Sequence, residues 1–175
     1  MNENTEGVRR RRPGRASVDQ SDRRILAELA RDAGQSFAEL GLKVAFSPPA
    51  VHERVKRMKQ SGVIRDTVAR IDATAVGKPL LAFVHVEAAG WGKSERLLQL
   101  ARYPEVEEMH SVAGDASMVL KVRTESPQAL EHLLGQIHSV PGVKGTKSFI
   151  ALSTFLDRPV QAEVTEIWPD FPMPE

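Results

Sequence analysis

Cysteine is absent from the 175 residues of the sequence. This absence excludes a disulfide framework, a thiolate nucleophile and a zinc-finger site, and it fits a reducing compartment. The sequence also has no run of eighteen apolar residues, so it predicts no membrane span and no membrane partner. The basic N-terminus lacks the apolar stretch of a secretory signal, and we therefore expect a cytoplasmic protein.

Charge is unevenly divided along the chain, although the formal net charge is only +1. Residues 1–70 carry 15 Lys or Arg and 9 Asp or Glu, whereas the remaining residues carry 9 basic and 14 acidic side chains. The two parts therefore have net charges of +6 and −5. This division predicts that one domain meets a polyanion and that the other does not.

The N-terminal segment is the most basic part of the chain. Residues 1–17 are polar and contain five arginines around a Pro-Gly pair, namely Arg9, Arg10, Arg11, Arg12 and Arg15. Such a segment has too few apolar side chains to form a core. We therefore predict a disordered basic arm over residues 1–17.

Three helices are predicted between residues 18 and 62. Asp19 and Ser36 are typical N-caps before apolar residues at helical spacing, and Gly34 marks the end of the first helix. The third helix begins at Ser47 and Pro48, an N-cap followed by a proline at the first helical position. Its apolar stripe is Val51, Val55 and Met58, and its end is Gly62. The alternating residues 63–71 then predict a strand.

The third helix places five cationic or histidine side chains between its apolar positions. Two short helices, a tight turn and a basic third helix are the sequence form of a winged helix-turn-helix, in which the third helix enters the major groove of DNA. We expect Arg54 to pair with guanine, and Lys56, Arg57 and Lys59 to contact phosphates. The alternative is a helical bundle with a solvated outer face. The candidate DNA-contacting residues are Ser47, Pro49, His52, Arg54, Lys56, Arg57 and Lys59.

The second half of the sequence has the pattern βαββαβ, which is typical of a ferredoxin-like fold. Strand-like alternation occurs over residues 80–87, 106–112, 118–122 and within 143–156, with helices expected after Ser94 and after Ser126. A helix stops at Pro104 and again at Pro141, and in both places a strand begins two residues later. The fold class is therefore α+β. A sheet with helices on one face needs cover on the other, and pairing with a second copy is the simplest solution.

These patterns divide the chain into five segments. We expect the arm over residues 1–17, a helix-turn-helix domain over 18–70, a linker over 71–78, an oligomerisation and effector domain over 79–156, and a Pro-rich tail over 157–175.

Over residues 18–156 the sequence resembles the Lrp/AsnC family, the feast/famine regulators of bacteria and archaea. The matching motifs are residues 18–26, Phe46-Ser47-Pro48, Arg54-Val55, Ser61-Gly62-Val63-Ile64, Val112-Ala113-Gly114-Asp115, Leu120-Lys121-Val122 and Pro141-Gly142-Val143 with Thr146. The resemblance implies a DNA-binding transcriptional regulator that forms dimers through a RAM-type C-terminal sheet. It also implies that the dimers assemble into tetramers or octamers.

The resemblance further implies an amino-acid effector, bound between dimers near the loop that joins the second and third strands. That loop is Ala113, Gly114, Asp115, Ala116 and Ser117. The family usually has Thr before the glycine and Asp three residues after it, and this chain has Ala113 and Ser117 at those positions. Asp115 could bind a cationic group and Ser117 could donate a hydrogen bond. An amino acid, another small effector and no effector all remain open.

Other classes of function have little support in the sequence. The histidines show neither metal-site spacing nor pairing with a nucleophile, so we expect no enzyme, no metal and no cofactor. Gly92-Lys93-Ser94 lacks the upstream glycine of a phosphate-binding loop, which is replaced by Glu87. The main alternative to a specific regulator is an architectural, nucleoid-associated DNA-binding protein without a ligand.

Overall fold

The computed structural model describes residues 17–89 and 95–163, and these residues form two compact units. One unit contains residues 17–69 and 158–163, and the other contains Arg70–Asp157. The chain therefore crosses between the units twice. Apart from Ser17, the predicted basic arm lies outside the described residues, as do Gly92, Lys93 and Ser94.

The first unit contains three helices: α1 (Gln20–Arg31), α2 (Phe37–Val44) and α3 (Pro48–Gln60). The predicted N-caps of the first two are confirmed, because Asp19 and Ser36 each form a reciprocal capping box. Helix α1 ends at Arg31, before the predicted Gly34, and Asp32 takes an extended conformation.

The turn between α2 and α3 depends on a close approach of two backbone segments. Ala45 has a φ of 59°, and the N–H of Phe46 donates to the carbonyl of Gly41 at 3.0 Å. A Cβ atom on Gly41 would lie 2.5 Å from the carbonyl oxygen of Phe46, so only glycine fits without a shift of the backbone. This turn sets where α3 begins.

The core of the first unit joins all three helices. The apolar stripe predicted on α3 is confirmed, and the chain turns away after α3 through Gly62, which has a φ of 75°. Residues that follow the turn, Val63 and Ile64, pack against the same core. The buried residues of this core are Ile25, Leu40, Val44, Val51, Val55 and Met58.

The strand predicted over residues 63–71 does not form in the described part of the chain. Alternation favours an extended chain, but a strand also needs a partner with open hydrogen-bonding groups. None of the four strands among residues 17–89 and 95–163 pairs with this segment. Val68 and Ile71 are therefore left 78% and 71% exposed.

The returning segment completes the first unit. The guanidinium of Arg23 donates a 2.8 Å hydrogen bond to the carbonyl of Ala162, and Arg31 lies 3.7 Å from the carboxylate of Glu163. Both arginines belong to α1. Ala162 and Glu163, which lie within the predicted Pro-rich tail, therefore contact this helix.

The second unit contains four strands, two helices and a 3-10 turn. The elements are β1 (Leu80–Ala88), α4 (Glu95–Leu98), the 3-10 turn (Gln99–Arg102), β2 (Val106–Ser111), β3 (Met118–Thr124), α5 (Pro127–His138) and β4 (Val143–Ile150). The strands form an antiparallel sheet of order β2-β3-β1-β4, which is the ferredoxin-like arrangement expected.

One face of this sheet packs against the helices. Alternate residues of β1 and β3 are buried against Leu97, Leu100 and the apolar face of α5. The repeated helix-stop signal is confirmed in detail, because Val106 and Val143 each donate a backbone hydrogen bond to the residue three positions earlier. The two halves thus enter their strands β2 and β4 through turns closed by the same hydrogen bond, although φ is positive at Gly142 (100°) and not at the equivalent Glu105.

Candidate DNA-contacting surface and effector loop

The exposed surface of α3 and its N-terminus contains most of the predicted DNA-contacting residues. Pro49, His52, Lys56 and Lys59 are exposed. Ser47 occupies the N-cap position but makes no capping hydrogen bond with its side chain, so this hydroxyl does not serve the helix. These residues present donors and positive charge on one side of the unit.

Arg54 does not face outward as predicted. Its Nη1 atom lies 2.8 Å from carboxylate oxygens of both Asp19 and Asp22, and its guanidinium lies over the ring of Phe46 at 5.2 Å. The side chain is 26% exposed. These partners come from the start of α1 and from the turn before α3, where their carboxylates and ring attract a guanidinium.

Arg57 shares the same buried acceptor but remains more exposed. Its Nη2 atom donates to both oxygens of Asp22, at 2.8 and 2.7 Å. The Asp22 side chain is 1% exposed, whereas that of Arg57 is 55% exposed. Sequence reasoning missed Asp22 as a residue of this site, because a carboxylate near a helix N-terminus is also explained by capping and by the helix dipole.

The electrostatics of this cluster favour the charged forms of Asp19 and Arg54. The hydrogen bond from Arg54, with that from the Asp22 backbone, holds the pKa of Asp19 below its ordinary value of 3.8. The hydrogen bonds to Asp19 and Asp22 raise the pKa of Arg54. The start of α1 and the middle of α3 are therefore joined by ionised groups.

His52 is contacted by Phe37, the first residue of α2. The ring centroids lie 5.2 Å apart and the rings meet edge-on. Phe37 remains 38% exposed, so this aromatic pair is part of the surface rather than of the core. An isolated phenylalanine in an amphipathic helix gave no sequence signal for this contact.

The predicted effector loop is held to the sheet by Ser117. Its backbone N–H donates to Val86, and its Oγ both accepts from the N–H of Ala88 and donates to the Ala88 carbonyl, at 3.2 and 3.3 Å. Gly114 has a φ of 140°, and Asp115 is exposed. The donor of the Ser117 hydroxyl, which the sequence suggested for a ligand, is therefore bound to the Ala88 carbonyl.

The remaining loop residues differ in their surroundings. Ala113 is exposed, whereas Ala116 is buried with 8% exposure. A cavity of about 520 Å³ lies at the end of β1. Ala88 lines this cavity and is also hydrogen-bonded to Ser117 of the loop. Glu95 and Arg96 also line this cavity and bring charges of both signs to it.

The second face of the sheet, which the helices do not cover, is apolar and aromatic at its centre. We call this surface the open sheet face and define it by Phe83, His85, Lys121, Lys147 and Phe149. Phe83 pairs with Phe149 across β1 and β4, and these side chains are 40% and 47% exposed. The centroid of the His85 ring lies 5.0 Å from that of Phe149.

An acidic pair borders the open sheet face on β2. Lys121 lies within 3.4 Å of the carboxylates of both Glu107 and Glu108, and Arg123 lies 2.7 Å from Glu107. Hydrogen bonds from His110 and Lys121 lower the pKa of Glu108. These cross-strand charges were not predicted, because their pairing depends on the irregular register between β2 and β3.

Among residues 17–89 and 95–163, no group of three or more His, Asp or Glu side chains is arranged to hold a metal ion. Within the same residues, no helix combines the length and apolar character needed to cross a bilayer.

Family models match both parts of the chain. A winged helix-turn-helix DNA-binding model matches residues 18–65, and a model described as the Lrp/AsnC ligand binding domain matches residues 81–161.

Curated relatives match the chain over most of their length. The HTH-type transcriptional regulator FL11 of Pyrococcus horikoshii is 36% identical over 80% of this chain and 93% of the relative. The HTH-type transcriptional regulator LrpA of Mycobacterium tuberculosis is 39% identical over 79% of this chain and 93% of the relative.

A similar solved structure is that of a feast or famine regulatory protein, Rv3291c, from M. tuberculosis in complex with L-methionine. It is 38% identical, with a TM-score of 0.74, and the match covers 81% of this chain and 96% of that one. The structure of E. coli AsnC is 28% identical with a TM-score of 0.73 over 83% and 99% of the two chains.

A helix-turn-helix unit joined to a ligand-binding α/β unit defines a DNA-binding transcriptional regulator rather than an enzyme. The chain belongs to the Lrp/AsnC family of such regulators.

Proposed function

We propose that this regulator reads DNA with the exposed side of α3 and contacts phosphates around it. The observation that carries this proposal is the accessible row Ser47, Pro49, His52, Lys56 and Lys59, together with the uncommitted hydroxyl of Ser47. In a helix-turn-helix the first turns of the third helix face base edges, and lysines nearby bind phosphates. His52 and Pro49 then lie closest to the bases.

Arg54 has a different role in this proposal from the one its position in the sequence suggested. Its guanidinium already binds two carboxylates and packs on Phe46, so reading a guanine would break these contacts. Arg54 instead holds α3 against the start of α1. Arg57 keeps more than half of its side chain in solvent and contributes a phosphate contact.

The protein acts as a homodimer that assembles further into tetramers or octamers. The open sheet face supports this proposal because two phenylalanines lie together on it, both accessible in the single chain. A second copy would cover them and supply the missing layer of a sheet with helices on one side. Two copies would also present two α3 helices to two half-sites.

The effector is a small molecule, with an amino acid as the first candidate. The resemblance to a methionine-bound regulator supports this class, and the exposed Asp115 offers a carboxylate for an ammonium group. The neighbouring cavity at the end of β1 has Glu95 and Arg96 in its wall, a charge pair that suits a zwitterion. Ser117 supports the loop rather than the ligand, because its hydroxyl is bound to Ala88.

The effector regulates by binding two assemblies with different affinity. Only a difference between the affinities of the effector for the two assemblies can shift the equilibrium between them. This shift changes the relative position of the dimers and therefore which DNA half-sites are bound together. The site of action is chromosomal DNA in the nucleoid of the cytoplasm.

The experiment that tests DNA reading is selection of fragmented genomic DNA at physiological salt with the wild type, His52→Ala and Lys56→Ala. We expect a short palindromic consensus that blurs in His52→Ala, and a uniform loss of affinity in Lys56→Ala. Arg102→Ala, an exposed cation of the second unit, is the matched control and should select as the wild type does. Broad recovery without a consensus in all proteins would instead support an architectural role.

The effector is tested by thermal shift with each of the twenty amino acids, followed by calorimetric titration. An amino acid that stabilises the wild type should lose most of its effect on the unfolding temperature in Asp115→Asn. It should keep this effect in the control variant Glu125→Gln, because Glu125 is an exposed acid that follows the C-terminal end of β3. If no amino acid changes the unfolding temperature, the amino-acid class is rejected.

A further inference from the structure

The carboxylate of Asp22 is fully used as a hydrogen-bond acceptor. Its Oδ1 accepts from Arg54 and Arg57, both at 2.8 Å, and its Oδ2 accepts from Arg57 at 2.7 Å and from the Asp19 backbone at 3.2 Å. An ionised carboxylate offers about four acceptor positions, and all four are filled here. Asp22 is therefore an internal anchor and has no capacity left for a ligand.

The guanidinium of Arg57 is only partly used by this anchor. A single nitrogen, Nη2, spans both oxygens of Asp22, and no residue in the described part of the chain accepts from Nη1 or Nε. The side chain is 55% exposed. The N–H groups of an arginine are fixed in one plane, so holding Nη2 on Asp22 also fixes the direction of the Nη1 and Nε hydrogens, which remain available to donate to a phosphate oxygen.

Arg54 and Arg57 differ in how much of each side chain the anchor leaves accessible. Arg54 is half as exposed as Arg57, and it is enclosed by two carboxylates and the Phe46 ring. Arg57 is held at one end and accessible at the other. The same buried carboxylate thus fixes one arginine as part of the packing and orients the other toward solvent.

We propose that Asp22 is a positioning residue for DNA binding, which holds the guanidinium of Arg57 ready to donate hydrogen bonds to a backbone phosphate. This inference rests on the DNA-contacting surface proposed for α3. An unrestrained arginine loses rotamer freedom when it binds, and prior restraint by Asp22 reduces that loss. The contact is sequence-independent, since a phosphate carries no base information.

Asp22 could also oppose DNA binding, and the change in DNA affinity on its neutralisation would then have the opposite sign. A carboxylate near DNA repels phosphates and competes with them for Arg57, so its neutralisation would tighten binding. A positioning role requires that neutralisation weaken binding, although it removes a negative charge. The direction of the change therefore separates the two effects.

The experiment is a double-mutant cycle in the full-length protein with Asp22→Asn and Arg57→Gln. Binding is measured by fluorescence anisotropy with a labelled mixed-sequence duplex of about 30 base pairs, across a series of salt concentrations. Asp19→Asn is the matched control, because it neutralises a neighbouring carboxylate that binds Arg54 and not Arg57, and asparagine still caps a helix. Circular dichroism establishes that each variant is folded.

We expect Asp22→Asn to weaken binding about three- to tenfold in the wild-type background and less than about twofold when Arg57 is already glutamine, as a coupled pair should. Arg57→Gln should lower the salt-dependence slope by about 0.9, the value for one phosphate contact. Asp19→Asn should leave binding unchanged or slightly tighter. Tighter binding by Asp22→Asn, or equal losses in both backgrounds, would overturn the proposal.

Arg57→Lys keeps the test decisive if Asp22→Asn does not fold. Lysine retains the charge but lacks the planar guanidinium, so Asp22 cannot fix further donors of its side chain toward a phosphate. We expect it to bind more weakly than the wild type but more tightly than Arg57→Gln, because its charge still attracts a phosphate. Binding equal to wild type would reject the positioning role. A Lys56→Ala, Lys59→Ala double variant with wild-type affinity would instead reject the proposed DNA-contacting surface itself.

Discussion

Replacement of Gly41 by alanine tests whether the turn before α3 is as tightly packed as the structure indicates. In an ordinary helix this change stabilises by about 1 kcal/mol, because glycine has the lower helix propensity. Here the added Cβ would lie 2.5 Å from the Phe46 carbonyl oxygen. That oxygen cannot withdraw easily, since the N–H of Phe46 is itself bonded to the Gly41 carbonyl. Overpacking of this kind costs about 1–3 kcal/mol, at the upper end where backbone must move.

We therefore expect a net loss of about 2 kcal/mol in Gly41→Ala, after the gain in helix propensity is deducted. For a unit of this size the loss lowers the unfolding temperature by about 10 °C. Gly135 supplies the matched control, because it also lies within a helix and a Cβ there would meet nothing within 4 Å. Gly135→Ala should stabilise by about 0.5–1 kcal/mol.

The assay is differential scanning calorimetry of the full-length protein, with DNA affinity measured in parallel. Gly41→Ala should also bind DNA more weakly, because its turn sets the start of α3. An unfolding temperature equal to or above that of the wild type would refute the steric argument. If Gly41→Ala and Gly135→Ala shift the temperature alike, helix propensity alone accounts for both.

Three further predictions follow from hydrogen bonds and exposure. Ser36→Ala should destabilise by about 1 kcal/mol through loss of its cap, whereas Ser47→Ala, which loses no cap bond, should leave the unfolding temperature unchanged and weaken DNA binding. The lowered pKa of Asp19 means that its charge stabilises the fold above pH 3.8 and that this contribution disappears as the pH falls below that value. The unfolding temperatures of wild type and Asp19→Asn, followed by circular dichroism, should therefore converge below about pH 4; a constant difference would contradict the linkage. Phe149→Glu should dissociate the dimer in sedimentation equilibrium, and an unchanged mass would exclude the open sheet face as the interface.

The fold was predictable because its signals are local. Asp19 and Ser36 cap helices whose apolar spacing is regular, and the two prolines Pro104 and Pro141 stop a helix at equivalent places. These features act over a few residues, where periodicity and turn chemistry decide the backbone. The strand over residues 63–71 was wrong for the complementary reason, since alternation carries no information about whether a pairing strand is present.

The candidate site was less predictable, because its side chains form hydrogen bonds with residues that are distant in the sequence. Arg54 lies among exposed cations in the sequence, but its acceptors Asp19 and Asp22 are more than 30 residues earlier. Ser117 has the chemistry of a ligand donor, and its hydroxyl is instead bound to a backbone group 29 residues away. Residue type and spacing define which contacts are possible, whereas the tertiary fold selects among them.

The return of the C-terminal segment to α1 determines when one contact of this helix can form during synthesis of the chain. Arg23 and its acceptor Ala162 are separated by 139 residues. At ordinary rates of synthesis, Ala162 is therefore added on the order of 10 s after Arg23. The helical unit emerges first from the ribosome and acquires this contact last. A chain that stops at residue 157 would contain α1, α2 and α3 and still lack this contact, so the contact can form only after both units have been synthesised.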